Sequence, residues 1–152
     1  MFVIVLDSIY SQVYNLRYQK ESMIYILKEG RRESMQENYK KFDIVMVDFG
    51  TNTVGSEQGY TRPALIVQNN QGNSFSSCTI VMPLTHVIKG LHIPTHALIK
   101  KSKENGLKVD SMLLGEQMRV VSEKRIIGKI GKIVSKESIN EIRRVYEANF
   151  GE

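Results

Sequence analysis

Phe42-Asp-Ile-Val-Met-Val-Asp-Phe49 runs into a long polar loop, Gly50-Thr-Asn-Thr-Val-Gly-Ser-Glu-Gln-Gly-Tyr-Thr61, and then into Arg62-Pro63-Ala-Leu-Ile-Val-Gln68. The first run is rich in branched and aromatic residues and reads as a strand. Pro63-Ala-Leu-Ile-Val-Gln68 reads as a second strand, opened by a proline where no ladder donor is lost. Asn69-Asn-Gln-Gly-Asn-Ser74 is expected to turn, and Thr79–Thr85 to form a third strand with Pro83 at an edge or a bulge. His96–Lys100 is a fourth strand, Ser111–Val121 a fifth bent at Gly115, and Ile126–Val134 a sixth curved at Gly128 and Gly131. The final segment is helical. Ser135 suits the N-cap, Glu137 sits in the first turn, and Ile139, Ile142, Val145, Tyr146, Asn149 and Phe150 recur at three- and four-residue spacing before Gly151. Short strands closed by one amphipathic helix predict a mainly β, α+β fold, a small barrel with a helical lid.

Composition narrows the class. The chain has 152 residues, of which 41% are hydrophobic and 24% charged, so it can bury one substantial core. Cys78 is the single cysteine, which excludes a disulfide framework and fits a reducing cytoplasm. No apolar run reaches the roughly 18–20 residues that span a bilayer, so no membrane role is expected. The opening Met1–Leu6 run lacks preceding basic residues and is soon followed by Asp7, unlike a signal peptide. A formal charge of +5 is compatible with a polyanionic partner and does not by itself identify one.

The loop Gly55-Ser-Glu-Gln-Gly59, closed by Arg62-Pro63, is where chemistry would concentrate, because it gathers Ser56, Glu57, Gln58 and Arg62 beside a strand. The alternative for that loop is a plain solvated connection. From about Lys41 to Gly151 the chain resembles the MazF/PemK family of toxin endoribonucleases of type II toxin–antitoxin systems. The segments that carry the resemblance come in order: Asp43-Ile-Val-Met-Val-Asp48, Gly55-Ser-Glu-Gln-Gly59 with Arg62-Pro63, Gln68-Asn69 with Gly72-Asn73, and Thr85. Ile93-Pro-Thr-His96, Asp110-Ser111, and Glu116-Gln117 with Arg119 complete them.

The resemblance implies an SH3-like barrel of the PemK/CcdB type, a homodimer, and a MazE-like antitoxin that blocks the RNA groove. It implies sequence-specific, metal-independent cleavage of single-stranded RNA to 2′,3′-cyclic phosphate and 5′-hydroxyl ends, with no cofactor. Position by position, Arg62 and Thr85 match the pair to which the family assigns catalysis. Ser56, Glu57, Gln58, His96 and Gln117 match positions along the substrate groove. Tyr60 stands where a second glycine is common, and its ring is a candidate to stack on an unpaired base.

The residue chemistry agrees with those assignments. Cleavage through the 2′-hydroxyl requires proton removal from that oxygen, stabilisation of a dianionic phosphorane, and proton donation to the leaving 5′-oxygen. A guanidinium offers phosphate a planar fork of donors and is a poor base, so Arg62 suits the second task and Thr85 adds a hydroxyl donor. Glu57 is a candidate base or sugar-positioning group. His86, His92 and His96 raise a histidine-pair alternative, although nothing in their spacing sets two of them on one phosphate. Cys78 reads as a packing residue, and no His/Cys/Asp cluster has metal-ligand spacing. Lys100–Lys103 and Lys108 read as a solvated basic turn able to steer RNA.

Residues 1–34 differ in texture, with five basic residues, four acidic residues and four tyrosines. Lys28-Glu-Gly-Arg-Arg-Glu-Ser34 can be encoded by purine-rich codons resembling a ribosome-binding site just before Met35. The expectation is therefore a translated leader over 1–34 and a MazF-like domain over 35–152, the competing reading being a helical extension. Two further functions share this fold class: a CcdB-like toxin that traps DNA gyrase, and a non-enzymatic barrel. CcdB-like toxins carry a C-terminal tryptophan, and this chain has none.

Overall fold

The computed structural model describes residues 39–151; the stretch read above as a leader lies outside the described residues. The chain forms β1 (Asp43–Asp48), β2 (Thr61–Ile66), the short helix α1 (Asn70–Phe75), β3 (Cys78–Thr85), β4 (His96–Ile99), β5 (Ser111–Leu114), β6 (Arg119–Ser122), β7 (Ile126–Lys132) and α2 (Lys136–Phe150). All pairings are antiparallel, in the order β4-β5-β3-β2-β1-β7, with β6 also on β3.

β3 organises the sheet. One edge pairs with β2, and the other pairs first with β6, up to Val81 against Arg119, and then with β5, from Leu84 against Leu113. Pro83 lies in a central strand, in regular register with Ala64, rather than at the expected edge or bulge, and it falls in the interval between those two ladders, where a missing N–H costs least. The expected single strand over 111–121 is two strands, because a 3-10 turn at Gly115–Gln117 breaks it. A Cβ on Gly115 would lie 2.2 Å from Val145 Cγ1 and 2.8 Å from the Thr95 carbonyl, so only glycine lets α2 seat there. Among the described residues no ladder joins β7 to β4 or β6, so the expected barrel is a bent sheet left open at that seam.

Both faces of the sheet are covered. Ile44, Leu65, Met82, Leu84 and Leu113 pack under Ile142 and Val145 of α2, while Val45, Val47, Ala64, Ile66, Val81 and Val121 form a second cluster. Neighbouring positions on β1 and β2 thus enter opposite clusters, which is why these strands read as continuous apolar runs rather than alternating ones. Ser135 caps α2 by accepting from the Ser138 N–H, as expected. Burial of Ile142 and Val145 contributes roughly 1.5–3 kcal/mol each, and Arg144 ties the same helix to the Pro94 and His96 carbonyls at 2.8 and 2.7 Å. The expected turn at 69–74 is the helix α1: Asn69 caps it by accepting from Gly72, and its polar sequence carries no apolar period that would have announced it.

Candidate active site

β2 and β3 bring the two central residues level. Their register runs Ile66–Val81, Leu65–Met82 and Ala64–Pro83, with Arg62 two residues before the last of these pairs on β2 and Thr85 two residues after it on β3. Arg62 and Thr85 accordingly line one cavity of about 530 Å³, together with Met46, Leu84, His86, Lys108, Ser111 and Ile130 among others.

Both side chains are held from behind. The Arg62 Nε–H donates to the Gly59 carbonyl at 2.8 Å, and Nη1 donates to the Gln58 side-chain oxygen. Those two bonds fix the plane of the guanidinium. Burial, with the nearby Arg119 cation second, pulls the Arg62 pKa below its ordinary value. The Thr85 hydroxyl accepts from the Val87 N–H at 3.2 Å, which occupies a lone pair and leaves its own hydrogen available to donate outward.

The 50–61 loop is fastened at several points. The Gln58 N–H donates to Gln117 Oε1 at 2.9 Å, the Gln117 amide donates to the Ser56 carbonyl at 2.9 Å, and Arg119 donates to the Gln58 carbonyl at 2.9 Å. The Arg119 guanidinium also stands 4.2 Å from the centroid of the Phe49 ring. Arg119's pKa is lowered, first by burial, against an opposing pull from Glu57 and with Arg125 acting in the same direction as burial. Gly59 is required by crowding, since a Cβ there would lie 2.5 Å from Thr53 Cγ2. Tyr60 sits at φ +60° with its side chain largely in solvent. A glycine would be unstrained in that left-handed conformation, as a tyrosine is not.

The sequence-derived site residues divide into groups. Arg62 and Thr85 share the main cavity. Ser56, Glu57 and Gln117 line a neighbouring open hollow of about 390 Å³ with Arg119. Gln58 joins the two through its bonds to Arg62 and Arg119. The Glu57 carboxylate accepts from the Val54 N–H at 3.0 Å and does not line the main cavity. His96 is buried, its ring bridging the Gly90 carbonyl at 2.9 Å and Glu116 at 3.0 Å, so it braces the β3–β4 loop. The histidine-pair alternative finds His86 alone in the main cavity: His92 and His96 do not line it. Sequence reading passed over Arg119 and Lys108 as site residues. Arg119 was visible only as part of a motif, and Lys108 looked like any other member of a basic turn.

Known proteins share both sequence and architecture. The family model described as PemK-like, MazF-like toxin of type II toxin–antitoxin system matches residues 40–149. The chain belongs to the PemK/MazF toxin family. Endoribonuclease EndoA of Bacillus subtilis is 41% identical over 91 residues, covering 60% of this chain and 77% of that protein. The crystal structure of MazF from Deinococcus radiodurans superposes with a TM-score of 0.63 at 20% identity, covering 77% of this chain and 100% of that one. An endoribonuclease in complex with its cognate antitoxin from a mycobacterial species superposes at 0.60, with 18% identity, covering 74% of this chain and 95% of that one. Membership of the PemK/MazF family answers the CcdB-like alternative, and the MazF superposition confirms the α+β architecture with its C-terminal helix. Among the described residues no helix is long and apolar enough to cross a membrane, and no three His, Cys, Asp or Glu side chains gather as a metal site would need.

Proposed function

We propose that the cavity between β2 and β3 cleaves unpaired RNA by in-line attack of a 2′-hydroxyl, leaving a 2′,3′-cyclic phosphate and a 5′-hydroxyl, without a metal or cofactor. The observation that carries this reading is the convergence of Arg62 and Thr85 on one cavity, with the guanidinium oriented by two bonds from the loop. The scissile phosphate would meet the Arg62 fork and the Thr85 hydroxyl, donors set in advance where charge develops in the phosphorane. Arg62, Arg119 and Arg125 cluster around the loop and make the approach attractive to a polyanion. The neighbouring hollow, with Ser56, Glu57 and Gln117, would receive flanking bases and set the recognised sequence, and the exposed ring of Tyr60 would stack on an unpaired base. His96 would act at one remove, by bracing the β3–β4 loop.

Endoribonuclease toxins of this family are paired with antitoxins, as in the mycobacterial complex, and a MazE-like antitoxin that occludes the same cavity is the partner this reading implies. The active form would be a cytoplasmic homodimer. Incubating purified protein with a long defined RNA and excess chelator tests the core of the proposal. The expected outcome is cleavage at short recurrent sites, 5′ ends that accept phosphate from a kinase, and loss of cleavage in Arg62→Ala. Random degradation, or activity that survives Arg62→Ala, would refute it.

A further inference from the structure

The reaction just proposed, on which this inference rests, still lacks a group that takes the proton from the 2′-oxygen. Arg62 stays protonated throughout the accessible range. Glu57 faces the Val54 N–H and the neighbouring hollow rather than the main cavity. Imidazole is the side chain that exchanges a proton between pH 5 and 8. Of the three histidines, His96 is buried and engaged at both nitrogens, and His92 is exposed outside the cavity. His86 is different: it directly follows Thr85, is exposed to solvent, and lines the cavity that holds Arg62 and Thr85.

We propose that His86 is the general base of the reaction and that Lys108, on the same cavity wall, is the acid. The neutral imidazole takes the 2′-hydroxyl proton as that oxygen bonds to phosphorus. The P–O5′ bond breaks, its electron pair stays on the 5′-oxygen, and that oxygen takes a proton from the Lys108 ammonium. The products are the cyclic phosphate and the 5′-hydroxyl; the imidazolium then loses its proton, and the Lys108 amine regains one, through solvent. The charged groups facing His86 in the cavity are Arg62 from β2 and Lys108 from the β4–β5 loop. The rest of the lining, Met46 from β1, Ser111 from β5 and Ile130 from β7 among it, carries no charge. A histidine acting as general base is expected to give the rate one inflection between pH 5 and 8.

The test uses the full chain and single-turnover cleavage of a long defined RNA from pH 5 to 9. In the unsubstituted protein the rate should rise about tenfold per pH unit at the acid end and level off before pH 8. His86→Gln should lower the plateau about 10²-fold and abolish the inflection. Lys108→Met should lower the plateau while keeping the inflection, and His92→Gln should leave the whole profile unchanged. A thermal melt of His86→Gln checks that the variant folds, and no loss is expected at an exposed position. If His86→Gln keeps the inflection and a rate within threefold of the original, the assignment is wrong while the ribonuclease reading stands. If the unsubstituted protein yields no cyclic-phosphate ends, both fall together.

Discussion

Replacing Arg62 by lysine preserves the charge and removes the geometry, which separates a fork of donors from a simple cation. In the folded protein Nε and Nη1 hold the Gly59 carbonyl and the Gln58 side chain. A lysine ammonium is a point charge on a flexible stem, able to reach one of these partners but not to hold both while presenting a flat edge to phosphate. The loss of two half-exposed bonds should cost about 1–2 kcal/mol of stability, or about 3–6 °C in melting temperature. The kinetic loss should be larger. One preorganised donor to a developing oxyanion is worth about 3–4 kcal/mol, which at 1.36 kcal/mol per factor of ten is a rate lower by roughly 10²–10³-fold. The assay is single-turnover cleavage of a defined RNA, at a temperature well below the melting point of both proteins so that folding does not enter. A lysine variant that cleaves within fivefold of the original rate would show that charge alone suffices, and the bidentate clamp would have to be abandoned.

Tyr60→Gly relieves a left-handed backbone and should raise stability by about 1 kcal/mol in denaturant melts, while lowering cleavage if the exposed ring stacks on a base; a rise in both would remove Tyr60 from the substrate path. Gly115→Ala drives a methyl into Val145 and the Thr95 carbonyl and should cost about 3 kcal/mol, read as a matching shift in denaturant midpoint. The lowered pKa values of Arg62 and Arg119 mean that folding disfavours their cations; the penalty persists below their folded pKa values and is relieved only above them, in strong alkali. Melting temperature should therefore show no inflection from either group between pH 5 and 9, whereas a non-cleavable RNA analogue with 2′-deoxy substitutions should raise it, less so as salt increases.

Much of this protein was legible in one dimension. Branched and aromatic runs separated by Gly- and Asn-rich punctuation placed the strands within a few residues, because strand formation here follows side-chain type. The cap at Ser135 and the three- and four-residue spacing after it defined α2 for the same local reason. The order of short motifs from Asp43 to Arg119 carried the family, because each motif is a local stretch of residue types. Other features depended on neighbours distant in the chain. Pro83 became tolerable in a central strand only because β6 ends and β5 begins beside it, and Gly115 broke one long strand into two because α2 presses against it. The three histidines looked equivalent in the sequence; the fold put His86 on the lining of the cavity that holds Arg62, and bonds at both ring nitrogens withdrew His96 into the scaffold. Local chemistry decides what each segment can become, whereas which side chains share a cavity is decided by register and packing, and those are sums over contacts that no single stretch of sequence contains.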